Sequence, residues 1–553
     1  MAHDDPLPRP PEVPSLSRQT LRRDLLTAAA ICLFAWLTLF YTASPIGITY
    51  DEPIYAGCSE RAWDWLSLLV TSPSDALSRP TIDKLWDAKD MHPSLTKLTA
   101  AVTSRLAVLH VDWGVSPFTF PRTGTMFWVG LALGFLYLLL RAAGLGRALS
   151  ILGPGLLFFM PHVFGLSHLL TLDAPIMAVS FLAVAAAWWA MERDDRPSLI
   201  LAGLLFGCAL ATKVNGFFVP IITLPYAFAV RPRRGLCLLI ASLIGGPLVF
   251  FASWPWMWHD TARRLVDYLA FHWHHWEIGV LYFGHVYTLA PWHYPLVMTA
   301  ITTPVLTLLL ASSAFFGWLV HLPHLPRLGF YSDAQAFKRL WLLAGWALVI
   351  NLGPSMLPSS PKYGGVRLFL PAMAWLAVLA VLGLRPLLSL AHRKVHLPPE
   401  RRWLISAIAL AVVLLPSASM VAHFFPWELS AYNGLIGGLP GATRAGMEPT
   451  YWGDTYISAA WWLDAHAPQG ARVWIDPPGM ESVVRLYKAF GDLRPDIVTV
   501  AGTAAFASAD FAVCQNKPTE FSAEVKRLLA TTQPVWTDTM DDVPLIYLWR
   551  LHR

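Results

Sequence analysis

The chain has 553 residues, of which 55% are hydrophobic and only 14% charged, with a net charge of +5. Soluble domains carry roughly 25% charged residues, so a purely soluble enzyme is excluded, and the mean hydropathy of +0.47 also excludes disorder, coiled coil and collagen. Its 26 Trp, 29 Phe and 16 Tyr suit a polytopic membrane protein with two interfaces, where amphipathic rings collect.

Residues 1–24, rich in Pro and basic side chains, read as a disordered cytoplasmic tail. The apolar run 25–43 is not followed directly by a small-residue cleavage site and reads as a retained anchor. Runs of about 17–25 apolar residues suit a hydrocarbon core of roughly 30 Å. They fall near 25–43, 123–140, 148–165, 174–191, 199–212, 216–230, 236–253, 295–319, 340–357, 367–384 and 403–423, which makes eleven spans. With the N-terminus inside, the short cytoplasmic connections collect the basic residues: Arg141, Arg147, Arg193, Arg196, Arg231, Arg233, Arg234, Arg327, Lys338, Arg339, Arg385, Arg393, Lys394, Arg401 and Arg402. The short outer connections hold almost none, Lys213 in one and Lys362 in another, as the positive-inside rule requires.

Three outer segments are long. The loop 44–122 contains candidate interfacial helices around 52–70 and 93–108, and the loop 254–294 is crowded with Trp, His and Tyr. Residues 424–553 alternate helix-like stretches (457–466, 480–490, 519–531) with strand-like ones (473–475, 497–500, 511–513, 545–551), which predicts a small extracytoplasmic α/β domain. The expected fold is therefore an α-helical polytopic membrane domain over 25–423 followed by that domain. Five cysteines show no metal-ligand spacing, and only Cys58 and Cys514 could meet outside the membrane.

The residues that could carry chemistry gather on the outer face. Asp51 and Glu52 follow the first span directly, and Asp173 stands alone between the third and fourth. An acidic pair in a solvated loop is usually polar surface, but carboxylates at membrane depth are expensive unless used or paired. Lys97, Lys213, Lys362 and Arg367 share that face. Singly, each could be a snorkelling side chain. Together they are better explained by an anionic ligand, a lipid phosphate held by Lys as a point charge and by Arg as a fork. Transfer of a sugar from a polyprenyl phosphate needs this inventory: a base for the acceptor proton and cations for the departing phosphate. It needs no general acid, because phosphate leaves as an anion.

Other signals are weaker. The segment His272-Trp273-His274-His275 reads as an interfacial aromatic stretch, and no carboxylate at ligand spacing supports a metal site there. No D-x-D, P-loop or dinucleotide fingerprint occurs, so nucleotide chemistry lacks its usual anchors, and nothing points to nucleic acid.

Several stretches, in order, resemble the superfamily of protein mannosyltransferases and aminoarabinose transferases. They are Asp51-Glu52, His92-Pro93 with Lys97, Leu172-Asp173-Ala174-Pro175, and Thr212-Lys213-Val214-Asn215-Gly216. Lys362-Tyr363-Gly364-Gly365-Val366-Arg367 is similar to a late motif of that family, and Tyr432-Asn433-Gly434 and Tyr451-Trp452-Gly453-Asp454 to the outer tail of its bacterial members. The likeness covers roughly residues 25–460, with Ser94 where the protein mannosyltransferases carry a second proline.

The resemblance implies a GT-C fold and inverting transfer of a sugar, mannose or similar, from a polyprenyl-phosphate donor; the acceptor is expected to be a protein, lipid or glycan, and no cofactor is expected to be required, with a divalent metal as the lesser alternative. It implies Asp51 as the base, with Glu52 and Asp173 supporting it or orienting the acceptor. Lys97, Lys213, Arg367, His92 and Lys362 would surround the donor phosphate. The expected place is a bacterial cytoplasmic membrane, with the site outside. A transporter or flippase is the alternative, but it would put charges near mid-membrane in broken helices, whereas here the charges collect at one face. A scaffold presenting the outer domain would leave Asp51, Asp173 and their cations without a purpose.

Overall fold

The computed structural model describes residues 18–86, 91–105, 113–193, 195–273, 278–321, 336–395 and 403–551, together with 398 and 401. Most of the expected N-terminal tail, Arg327, Arg402, His274 and His275, and the end of the second interfacial helix lie outside them.

Helix α1 (Arg18–Thr42) begins seven residues before the expected span, inside the stretch read as tail. Asp24 explains the extension. It is buried, and it accepts from Tyr137 Oη at 2.9 Å, Arg141 Nε at 3.1 Å and Arg147 Nε at 3.0 Å. The first turns are thereby anchored to the connection that carries those arginines.

The first outer loop folds into α2 (Glu52–Thr71), α3 (Pro73–Ala76), α4 (Arg79–Leu85) and α5 (Leu95–Thr103). The membrane region continues with α6 (Thr119–Ala142), α7 (Arg147–Phe158), α8 (Pro161–Ser167), α9 (Asp173–Glu192), α10 (Arg196–Leu210), α11 (Phe218–Val230) and α12 (Pro232–Ser253). The second outer loop holds α13 (Thr261–Trp273) and a hairpin, β1 (Val280–Tyr282) with β2 (His285–Tyr287), which the sequence reading did not anticipate. Then come α14 (Tyr294–Thr302), α15 (Val305–His321), α16 (Ala336–Leu352), α17 (Pro371–Lys394) and α18 (Trp403–Phe424).

Helices stand at all eleven expected positions. Among the described residues, six (α1, α6, α9, α12, α17, α18) are long and apolar enough to cross a membrane, and the pair α7–α8, bent by 71°, makes a seventh if it is one span. At the other positions the helices are shorter or, as with α14 and α15, divided. Breaks of this kind fall at prolines, which cannot donate a backbone hydrogen bond: Pro161 opens α8, and Pro304 separates α14 from α15. The chain is a multi-pass membrane protein.

Helix α9 is the axis of the bundle, buried almost throughout, with α6 and α17 beside it, whereas α1, α12 and α18 present most of their apolar surface outward. Helices α10 and α12 approach so closely that a side chain at Gly203 would meet the carbonyl of Ala241, the small-residue contact that membrane helices favour.

The outer tail adds α19 (Gly438–Arg444), α20 (Tyr456–His466), β3 (Arg472–Asp476), α21 (Glu481–Phe490), β4 (Val498–Ala501), α22 (Thr503–Phe506), β5 (Phe511–Gln515), α23 (Ala523–Thr531), β6 (Trp536–Met540) and β7 (Val543–Arg550). The sheet order is β4-β3-β5-β7-β6, with β3 parallel to both neighbours and β7 antiparallel to both of its own. The tail is the small α/β domain that the alternation of elements indicated. Strand β6 escaped the sequence reading because Trp-Thr-Asp-Thr-Met carries no apolar run and lies at the sheet edge.

Candidate active site

A cavity of about 950 Å³ opens at one end of the membrane helices, between them, the loops 44–122 and 254–294 and the α/β domain. Its membrane-side wall includes Ile54, Val214, Phe218 and Leu368, and its outer wall includes Pro477, Met480, Lys517 and Glu520. These last residues follow β3 and β5, so the wall is built at the carboxyl ends of two parallel strands from which the chain turns to opposite sides. Open α/β sheets form crevices at such points.

Two acids and two cations singled out in the sequence converge in this cavity from four parts of the chain. Asp51 caps α2, Asp173 opens α9, Lys213 precedes a short turn before α11, and Arg367 stands before α17. Asp173 is buried and accepts Lys213 Nζ on Oδ1 at 2.6 Å and Arg367 Nε on Oδ2 at 3.0 Å. Arg367 Nη2 reaches on to Asp51 Oδ2 at 3.1 Å. A buried carboxylate is tolerable only when paired, and here two cations pair it.

Asp51 is more open, and both of its hydrogen bonds fall on one oxygen: Oδ2 accepts from Arg367 and from Trp452 Nε1 at 3.1 Å. Among the described residues Oδ1 has no partner. Arg367 Nη1 and two of the three Lys213 protons are likewise uncommitted there. The guanidinium lies over the Trp452 ring at 3.4 Å from its centroid and beside Tyr363 at 5.7 Å, a cation–π contact that favours its charged, planar form. Burial pushes the Tyr363 hydroxyl up to about 12, so it stays a neutral donor.

The turn that carries Arg367 depends on Gly364 and Gly365, at φ +62° and +64°. A side chain at Gly365 would strike the Tyr451 ring, so the motif's paired glycines fold the chain tightly enough to aim Arg367 back at Asp173.

The other sequence-derived residues lie elsewhere or differ in surroundings. His92 lines the cavity, its ring 5.4 Å from that of His272. Lys97 is buried, is not among the residues that line the cavity, and donates to the His92 carbonyl at 2.6 Å. Lys362 donates to the carbonyls of Leu357 and Ser360, both at 2.8 Å, and burial lowers the pKa of its amine. Glu52 turns inward to Arg122, away from the cavity. Cys58 and Cys514 are both buried and do not form a disulfide with each other. Trp452 and Tyr363 stand in motifs quoted from the sequence but carry no role there, and Lys517 and Glu520 are absent from that reading. The signal for Trp452 lay in Tyr451-Trp452-Gly453-Asp454, an aromatic pair beside a glycine in the outer tail.

Residues 112–232 match the family model of dolichyl-phosphate-mannose-protein mannosyltransferase. The stretch carries Asp173 and Lys213, so the family likeness read from the motifs holds where half of the charged cluster lies. The chain matches no curated protein.

Among solved structures the chain is similar to ArnT from Cupriavidus metallidurans bound to undecaprenyl phosphate, at 14% identity and a TM-score of 0.46, covering 95% of this chain and 97% of that one. It is also similar to the oligosaccharyltransferase AglB from Archaeoglobus fulgidus in complex with an inhibitory peptide and a dolichol-phosphate, at 12% identity and a TM-score of 0.48, over 89% of this chain and 69% of that one. A shorter likeness, 47% of this chain and 34% of the other, joins it to the Saccharomyces cerevisiae protein O-mannosyltransferase Pmt1-Pmt2 complex, at 18% identity and a TM-score of 0.29.

Proposed function

We propose that this chain is a GT-C glycosyltransferase that moves a sugar from a polyprenyl-phosphate donor to an acceptor at the outer face of a bacterial cytoplasmic membrane. One observation carries the reading: the carboxylate of Asp51, with one oxygen uncommitted, shares a cavity with Arg367 and Lys213, which both keep donors to spare.

Asp51 Oδ1 takes the proton of the acceptor's nucleophile as that atom attacks the anomeric carbon, and the bond to the phosphate oxygen breaks on the opposite side, with inversion. Arg367 Nη1 and Lys213 Nζ stabilise the departing phosphate, where charge-assisted hydrogen bonds in a partly dry cavity are strongest. Asp173 acts through these cations: each of its oxygens is taken by one of them, which fixes their spacing. The apolar wall of Ile54, Val214, Phe218 and Leu368 suits the first isoprene units of the donor.

The match of residues 112–232 to the mannosyltransferase model supports this chemistry and makes mannose the first sugar to try. The acceptor is a protein, a lipid or a growing glycan. No step of this reading calls for a metal.

The test is transfer of label from synthetic polyprenyl-phosphate mannose, beside other lipid-linked sugars, to membrane acceptors. Label that appears with the wild-type chain and not with Asp51→Asn supports the reading, and its migration sorts the acceptors. No label from any donor with folded, pure protein would remove it.

A further inference from the structure

We infer that the outer α/β domain is a working part of this site: through Trp452 it fixes the orientation of Asp51 and so decides which carboxylate oxygen faces the reactants. The inference rests on the reading of Asp51 as the base, and Trp452 is a positioning residue within it.

The first observation is the shared oxygen. Trp452 Nε1 and Arg367 Nη2 both donate to Asp51 Oδ2, at 3.1 Å each. Two donors on one oxygen hold the carboxylate against rotation and turn the other oxygen to the cavity. The same indole lies flat on Arg367, so one side chain registers the base against the cation.

The second observation is the backbone of Trp452. Its φ is +73°, a left-handed conformation that a bulky residue adopts only when its surroundings hold it, and such outliers collect at functional sites. Those surroundings are identifiable. The Trp452 carbonyl accepts from the N–H of Tyr50, one residue before Asp51, at 2.9 Å. The next N–H, that of Gly453, donates to Gln515 Oε1 at 2.9 Å. Gln515 Nε2 donates in turn to Thr455 Oγ1 at 3.0 Å and to Thr450 Oγ1 and Asp454 Oδ1 at 3.3 Å each.

Gln515 ends β5, which runs between β3 and β7 inside the sheet. One side chain of an interior strand thus clamps the loop 450–455 on both sides of Trp452. The sequence of contacts runs from the sheet through Gln515 and Gly453 to Trp452 and Asp51. A domain that only decorated the outside would have no cause to hold a tryptophan in this conformation over the catalytic cluster.

Replacing Trp452 by Phe keeps a ring over Arg367 and removes the donor to Asp51. A carboxylate that loses a hydrogen bond to its charged form takes up its proton at higher pH. The titratable and charged groups that line the cavity with Asp51 are Asp173, Lys213 and Arg367 from the membrane region, Tyr50, Tyr55, His92 and His272 from the two long loops, and Tyr363, Tyr451, Lys517 and Glu520 around the rest. Trp452→Phe alters none of them, so the shift reads the lost donor.

The experiment measures the pH dependence of carbodiimide labelling of Asp51 in the full chain, by mass spectrometry of its peptide, beside the pH profile of sugar transfer. Carbodiimides react with the protonated carboxyl, so the labelling midpoint follows Asp51 without relying on activity. In Trp452→Phe the midpoint and the acid limb of the transfer profile should both move up by about half a unit to one unit, and in Gln515→Leu by less, in the same direction. A midpoint unmoved in Trp452→Phe overturns the inference, as does a uniform loss of rate with no movement of the acid limb. If Trp452→Phe does not fold, Gln515→Leu decides on the same terms. A midpoint that moves in a chain with no transferase activity would remove the transferase reading and leave the positioning of Asp51 standing.

Discussion

Glu52 turns its carboxylate away from the cavity and onto Arg122, whose Nε and Nη2 reach Oε1 and Oε2 at 2.8 Å each. Neither side chain sees solvent. The remaining capacity is taken up by the backbone: the N–H groups of Thr49 and Leu170 donate to Glu52 at 2.8 and 2.7 Å, and Arg122 donates to the carbonyls of Ile46 and Gly47 at 2.9 and 2.7 Å. One ion pair therefore fastens the segment before Asp51, the start of α6 and the segment before Asp173 to one another.

Removing one partner of such a pair strands the other charge, at a cost of about 3–5 kcal/mol. Glu52→Ala and Arg122→Ala should both lower the unfolding temperature in detergent markedly, and the double variant should lose less than the sum of the two. Additive losses, or a Glu52→Ala chain as stable as the wild type, would count against the structural role.

This pair marks a limit of what could be read from residue order. Asp51, Asp173, Lys213 and Arg367 were legible because each is a charge at the border of an apolar run, where charge is costly without a partner. Glu52 satisfied the same criterion beside Asp51, but consecutive helix residues point about 100° apart, and the partner that settles its direction lies 70 positions away. Lys97 and Lys362 read as outer cations open to a ligand, but each donates to carbonyls of its own loop, which no side-chain pattern reveals. The membrane helices and most of the α/β tail were legible from hydropathy and alternation. The β1–β2 hairpin was hidden in an aromatic-rich loop, and β6 in a polar edge strand.

Asp51 stands in a different position from its neighbour. It is partly exposed, and Asn would keep its shape and an acceptor oxygen for Arg367 or Trp452. Asp51→Asn should abolish transfer and leave the unfolding temperature within about 2–4 °C of wild type, as expected for a shift of 1 kcal/mol or less in a chain at least this large. Retained transfer would take Asp51 out of the mechanism.

The role of Arg367 can be read from which substrate constant it changes. Arg367→Ala removes a charge-assisted contact worth about 1.5–3 kcal/mol to the donor phosphate, which corresponds to roughly a 10- to 100-fold rise in apparent donor KM. Arg367→Lys should recover little of this, because an ammonium cannot bridge Asp51, Asp173 and a phosphate as a fork does. The apparent acceptor KM should stay within about threefold of wild type, less than 1 kcal/mol. Equal changes in both constants would move Arg367 from donor binding to general support of the cavity.

The outer domain should be most stable in mild acid. Burial pushes the carboxyls of Glu448 and Asp454 up to about 7, from ordinary values of 4.5 and 3.8. Glu448 Oε1 accepts from Thr519 Oγ1 at 2.9 Å and from the Leu281 N–H at 3.3 Å, which joins the β1–β2 hairpin to the α/β domain. These groups hold their protons in the folded chain at pH values where the unfolded chain has released them. Between about pH 4.5 and pH 7 the native state therefore binds more protons, and stability falls as pH rises, by at most about 1.4 kcal/mol per pH unit for each group. The unfolding temperature in detergent should be higher at pH 5 than at pH 8. Glu448→Gln, which keeps a neutral side chain at every pH, should flatten that slope and gain most, relative to wild type, at pH 8. A wild-type chain that grows steadily more stable from pH 5 to pH 8, or a Glu448→Gln slope as steep as its parent's, would mean that Glu448 is ionised in its buried place and held there by partners stronger than the two hydrogen bonds it accepts.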